Sequence, residues 1–403
     1  MKKIFILATL SFLSVKNAGA QTAPNIIAWL QNTTETGYGG YISNVQLVQY
    51  SADYVYISTN CIPEYSIGPW YANPNVPSPQ NVVSEFPRNP EPNTGTAVET
   101  ALGAIGLWTN GVQIFNPEDG FHWDATTSSW ANGPGTWNRN ALIFEGASFD
   151  SCLGHPAPGG VYHNHINPRC LYNDADSTHH SPIIGYAFDG YPVYGAYGYA
   201  STTSASGPIK RMRSSYVLTT DTTRSGGPTV SAYPLGDLCE DFIYTAGAGD
   251  LDEHNGRFCY TPDYPNGTYA YFVTIDSMLN PIYPLVLGPT YYGIVGSTNL
   301  HVTPTGTDTT YTTAVPQIAN NVIKYQIVPN PVTDHAYIYM DASSMNNIKG
   351  TLYNTEGQAV KTLNQLMQPS IAYALDMSDL APGMYILSFQ SGSTTVTEKI
   401  IKE

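Results

Sequence analysis

Charge is what this chain has least of. Only 12% of its 403 residues are Asp, Glu, Lys or Arg, about half the share in an average soluble domain. Basic residues are scarcest, 16 against 31 acidic, and that excludes nucleic acid as a partner, because phosphate binding depends on clustered Lys and Arg. Long apolar runs are missing as well. Nothing approaches the roughly 18 to 20 continuous apolar residues that a spanning helix needs, so no transmembrane segment is expected. No long stretch keeps a 3.6-residue apolar repeat, and Ala101 to Trp108 is the single ambiguous one. GxSxG, HExxH and Walker-type loops are absent too, which removes the commonest hydrolase and nucleotide-binding readings.

What is present begins with an export signal. Lys2 and Lys3 precede an apolar run from Ile4 to Val15, and Ala18-Gly19-Ala20 supplies a small-residue cleavage pattern. Residues 1–20 are therefore expected to be a signal peptide cleaved after Ala20. The remaining chain is more acidic still, which favours cations over anions as ligands. Tyrosine outnumbers phenylalanine 31 to 12, beside 36 Gly and 30 Pro, a composition that suits strands joined by tight turns. Val45–Tyr50 and Tyr54–Ile57 flank a short polar segment and predict a hairpin. Ile183–Phe188, Tyr269–Thr274 and Ile282–Leu287 predict further strands, so the fold is expected to be mainly β.

Five cysteines leave one over in an oxidising compartment. Cys152 with Cys170, and Cys239 with Cys259, are the expected pairs because each closes a local loop. Cys61 remains without an assigned partner. Metal ligation by cysteine is the alternative, although no CxxC pair is present.

Composition shifts near residue 299. Residues 299–324 are rich in Thr, Pro, Gly and Ser and predict a linker. The expected organisation is a body over 21–298, that linker, and a second domain over 325–403. YQIVPNPVTDHAYIYM at 325–340, LYNTEGQAVKTL at 352–363, LAPGMYILSF at 380–389 and the terminal EKIIKE resemble the C-terminal sorting domain of type IX secretion. The resemblance implies a small immunoglobulin-like β-sandwich that uses the type IX machinery as its partner. It also implies a route through the periplasm to the cell surface or the extracellular space.

In the body, GHP at 154–156, GGVYHNHINP at 159–168, HSPIIGYAFDGYPVYG at 180–195 and LDEHNGRF at 251–258 resemble the YHYH-domain proteins, named for a Tyr-His-Tyr-His string. The resemblance extends over most of residues 40–295. Asn164 stands where the motif has its second tyrosine, while both histidines are kept. The resemblance implies a β-rich domain and no particular reaction.

The chemistry has to come from the side chains. Alternate residues of a strand share a face with Cα atoms about 6.6 to 7 Å apart, so His163 and His165 can converge on one ion. His155 and His180 flank the pair in sequence, and the expected metal set is His163, His165 and His180, with His155 either a fourth ligand or a residue supporting the ligands from behind. Three imidazoles and an open position suit zinc or copper, whereas calcium wants oxygen ligands. The alternative is a pair of hydrogen-bonded histidines in an aromatic groove.

A second cluster, LDEHNGR, fails as a calcium loop because Gly256 and Thr261 break the required spacing. Asn255-Gly256 reads as a hairpin turn. The other reading places Asp252, Glu253, His254 and, from FDG, Asp189 near the histidines as proton-transferring groups. Glu145 and Asp150 in FEGASFD are further candidate acids, with surface carboxylates as the alternative. Two functions follow, a secreted metalloprotein or a non-enzymatic surface module whose tyrosines bind glycan or another small molecule.

Overall fold

The computed structural model describes residues 23–71, 73–306, 309–311, 325–340, 348–363, 372–391 and 394–403. Two compact units divide at Thr312 and Thr313, and both are built from strands. The expected signal peptide and the cysteine-free stretch 312–324 lie outside the described residues. Among the described residues no helix is long and apolar enough to cross a membrane.

The first unit packs two sheets around one core. Val45–Tyr50 and Tyr54–Thr59 form the expected hairpin, and Val82–Pro87 adds a third strand. Val48, Val55, Ile57 and Phe86 bury their side chains against Leu107, Trp108, Ile114 and Tyr186 of the second sheet. That second sheet has eight strands. From one edge they are Gly256–Cys259, Thr268–Phe272, Pro192–Tyr194, Ile183–Ala187, Ala104–Trp108, Gln113–Phe115, Tyr162–Asn164 and His155–Pro156. The ambiguous stretch thus resolves as a strand. Tyrosine contributes to this core, where Tyr162, Tyr186 and Tyr271 are fully buried.

Three expectations need correction here. Ile282–Leu287 is a turn rather than a strand, because Tyr283-Pro284 lacks a ladder donor and Leu285 takes a positive φ of 75°. Residues 299–306 and 309–311 are not linker. Thr309–Tyr311 pairs with Val48–Tyr50, and Asn299 and Val302 hydrogen-bond to Glu85 and Val83. An edge strand held by backbone bonds needs no apolar alternation, so composition alone hid it. Cys152 and Cys170 are joined as expected, but Cys239 and Cys259 are free thiols. Cys239 points at the carbonyls of Pro117 and Arg139, while Cys259 lies in a separate core with Tyr194, Met212 and Phe272. The chain between them crosses to the far edge of the large sheet. Cys61 is also free and buried.

The second unit pairs a three-stranded sheet, Tyr325–Val328, His335–Met340 and Ala372–Asp376, with a four-stranded one, Ala359–Thr362, Lys349–Tyr353, Gly383–Ser391 and Thr394–Lys402. Ala336, Ile338 and Leu375 of the first share a core with Leu352, Leu387, Phe389 and Ile400 of the second. That is the alternation of a two-sheet sandwich.

Candidate metal centre

At one edge of the eight-stranded sheet, a short antiparallel ladder sets His155 directly opposite His163. Cross-strand partners of this kind share a face with Cβ atoms about 4.5 to 5.5 Å apart. Gly159 and Gly160, at φ 85° and 81°, close the turn between them, a conformation that side-chain-bearing residues rarely adopt. His165 follows two residues after His163 and returns to the same face. On the opposite face, Tyr162 donates its hydroxyl to Asp150 at 3.0 Å. Asn164 donates its amide to the Leu153 carbonyl at 2.8 Å and to that of Cys152 at 3.3 Å. Those contacts tie the strand to the disulfide loop. Asn164 in place of a tyrosine therefore serves as a clamp, and Asp150 is a structural acceptor.

All three imidazoles are buried, and their Nε2 atoms converge. His155 and His163 are 3.0 Å apart at Nε2, as are His163 and His165. Each Nδ1 is engaged with an oxygen. That of His163 meets the Val161 carbonyl at 3.0 Å, and that of His165 meets the Asn116 carbonyl at 2.5 Å. A carbonyl only accepts, so both Nδ1 atoms carry the proton. His155 Nδ1 lies 2.7 Å from Ser148 Oγ, whose one proton is donated to the Glu145 carbonyl at 2.8 Å. Ser148 must then accept from His155. Three Nε2 lone pairs are thereby aimed at one point, where they repel unless a cation lies between them.

Burial, with His165 nearby, holds the His155 imidazole down to about 4. Burial also keeps His163 well below the usual range. Phe115 stacks on His163 at 3.8 Å and Phe149 meets His155 edge-on at 4.8 Å, so apolar faces enclose the donors.

Glu145 completes the constellation. Asn140 caps a one-turn helix, Ala141–Phe144, by accepting from the Leu142 amide, and Glu145 ends that helix. Its Oε2 is 3.1 Å from His165 Nε2 and 3.7 Å from His155 Nε2. This oxygen is buried and has no hydrogen-bond partner among the described residues. The group singled out in FEGASFD as a candidate acid near the histidines in sequence thus lies beside them in space.

The four side chains line an open cleft of about 440 Å³ with Asn73, Glu118, Asp119, Arg139 and Phe144. Arg139 pairs with Asp119 at 2.6 Å and lies over the rings of Phe121 and Phe144 at 4.4 and 4.5 Å. Burial pushes the Glu118 carboxyl up to about 6.

The remaining sequence candidates lie elsewhere. His180 is not part of the convergent group. Its ring packs on Tyr194 and Tyr199 at 5.0 and 4.9 Å, and its Nδ1 meets the Ser181 carbonyl. Residues 171–182 carry the chain past two intervening strands, which proximity in sequence could not reveal. Asp252, Glu253, His254 and Asp189 belong to the opposite half of the sheet. Five strand spacings, about 24 Å, separate Thr268–Phe272 from the histidine strand. Asp252 accepts from the His254 and Gly256 amides and from the Tyr269 hydroxyl. His254 bonds to Thr290, and Glu253 is exposed. Asp189, pushed up to about 6 by burial, accepts from the Tyr271 hydroxyl and from the Tyr191 and Gly293 amides. All four therefore serve turns and strand junctions.

Comparison with known proteins yields two family matches. Residues 83–283 match the YHYH protein family. Residues 326–403 match the secretion system C-terminal sorting domain, which implies export by type IX secretion to the cell surface or extracellular space. No curated protein matches the chain. Among solved structures, PorZ, an essential bacterial surface component of the type IX secretion system of Porphyromonas gingivalis, aligns at 9% identity with a TM-score of 0.18. The alignment covers 89% of this chain and 51% of PorZ, so the chain spans about half of that protein's length. At that score no shared fold follows.

Proposed function

We propose that this chain, a YHYH domain followed by a type IX sorting domain, is an exported metalloprotein that holds one transition-metal ion, zinc or copper, through Nε2 of His155, His163 and His165. One observation carries the reading. Every Nδ1 is spent on an oxygen, and three Nε2 lone pairs meet in a buried pocket with a carboxylate oxygen beside them. Nitrogen donors favour late transition metals over calcium or magnesium. The open cleft leaves a ligand or substrate access to the ion. Elemental analysis of the purified full-length chain is expected to return about one metal ion per chain. Absence of stoichiometric metal would sink the proposal.

Acid release is expected to be late. His155 stays neutral until about pH 4, and burial holds His163 well below its ordinary value, so their lone pairs remain available in mild acid. Dialysis at about pH 5.5 should leave the metal bound, and release should follow as pH falls through about 4; an exposed site with imidazoles near 6.5 would empty first. Stability follows the same sign, because the folded-state value of His155 lies below its unfolded one. The contribution is fully present above about 6.5 and is lost as pH falls towards 4.

The sorting domain makes its own prediction. A chain ending before residue 325 should accumulate inside the cell, with little reaching the surface or medium by fractionation and immunoblot. Unchanged export would remove the domain's assigned role.

A further inference from the structure

We infer that Glu145 is the fourth ligand of this ion and that the four donors form a tetragonal plane that selects copper(II) over tetrahedral zinc. The inference rests on the metal-binding reading above and goes beyond it in ligand set, geometry and metal.

Four distances carry it. Around the site, His155 to His163 is 3.0 Å, His163 to His165 is 3.0 Å, His165 to Glu145 Oε2 is 3.1 Å and Glu145 Oε2 to His155 is 3.7 Å. With metal bonds of about 2.0 to 2.1 Å, donors at right angles are separated by about 2.9 Å and tetrahedral donors by about 3.3 Å. The two sides between imidazoles match the right angle, the His165–Glu145 side lies midway between the two values, and the Glu145–His155 side is longer than either. A tetrahedron would also make all donor pairs equivalent. Instead, the ring centroids of His155 and His165 are 5.7 Å apart, against 4.5 and 4.8 Å for the neighbouring pairs. Those two imidazoles therefore lie across the ring from one another, with His163 and Glu145 between them on either side.

Chemistry points the same way. Glu145 Oε2 is a buried acceptor without a donor, set among nitrogen atoms that are acceptors themselves. Buried polar atoms are seldom left so, and a central cation satisfies all four at once. The carboxylate also offsets half the charge of a divalent ion. The long side of the quadrilateral closes by movement of Glu145, whose side chain is 29% exposed, rather than of the enclosed imidazoles. Three imidazoles and one carboxylate in a plane suit copper(II) or nickel(II), whereas zinc takes tetrahedral sites. All four residues line the cleft, which gives an exchangeable oxygen ligand a route to the ion.

The test is electron paramagnetic resonance of the full-length protein reconstituted with copper(II) sulfate, compared with Glu145→Gln. The parent should give an axial, tetragonal spectrum with splitting from the three imidazole nitrogens. Glu145→Gln should keep copper through the histidines, change the parallel hyperfine coupling and bind copper at least about tenfold more weakly in competition with a chromophoric chelator. Glu145→Asp, which restores the carboxylate, should recover part of both. A tetrahedrally distorted parent spectrum overturns the geometry, and an unchanged Glu145→Gln spectrum removes Glu145 from the ligand set. In either case stoichiometric metal would leave the three-histidine site standing. Failure of the parent to hold any copper or zinc would instead sink the metal-binding reading itself.

Discussion

His163→Ala should leave the protein folded and without its metal, with content falling from about one ion per chain to near none and affinity dropping more than about 100-fold. Loss of a partner that only orients a ligand already weakens metal binding about 10- to 100-fold, and here a ligand itself is removed. His163 is the critical position because its Nε2 lies 3.0 Å from those of both His155 and His165. Without it the two remaining imidazoles share only the Glu145 carboxylate as a neighbour. Elemental analysis and circular dichroism on the same preparation separate metal loss from unfolding. His180→Ala is the matched control, since its ring packs on Tyr194 and Tyr199, and it should keep its metal. Retention by His163→Ala, or equal loss in His180→Ala, would count against the site.

Replacing the disulfide, as Cys152→Ser with Cys170→Ser, should destabilise the first unit by about 3 kcal/mol. The bond spans 18 residues, and closure of a loop of that size restricts the unfolded chain by roughly this amount. For a unit that extends to Thr312 the melting temperature should fall by roughly 5 °C in calorimetry. Metal affinity should drop with it, because the loop encloses His155, His163 and His165, and its Cys152–Leu153 backbone receives the Asn164 amide. An unchanged melting temperature would show that the loop is held by its packing alone.

Much of the architecture was legible in the residues. Apolar and aromatic residues recurring in Val45–Tyr50 and His335–Met340, and the β-branched and aromatic run at Ile183–Ala187, are strand signals, and strands formed there. Two features escaped for one physical reason, that backbone geometry leaves little mark on composition. Thr309–Tyr311 joins a sheet edge through main-chain bonds alone, and Ile282–Leu287 has the apolar content of a strand but the conformation of a turn. The site divides in the same way. His163 and His165 could be read from their spacing, and His155 only from its nearness in sequence, the ladder that seats it opposite His163 being a matter of strand pairing. His180 misled because sequence distance is a poor guide once a chain crosses intervening strands. Glu145 could be named as an acid, but its meeting with the histidines depends on a capped helix four residues long. The Cys239–Cys259 expectation failed similarly, since equal loop lengths do not bring thiols together.

Arg139 has one more consequence. Its charge is already matched by Asp119 and sheathed by Phe121 and Phe144, so it offers no free cation to the cleft. Once Glu145 is engaged at the metal, Glu118 remains, ionised above about pH 6. An anionic visitor therefore meets repulsion from Glu118 at the cleft wall, set against attraction to the charge that Glu145 leaves on a divalent ion. The exposed part of that repulsion fades beyond about 10 Å at 0.1 M salt and weakens as ionic strength rises, while charges among buried imidazoles are screened less. Rising salt thus shifts the balance towards anions.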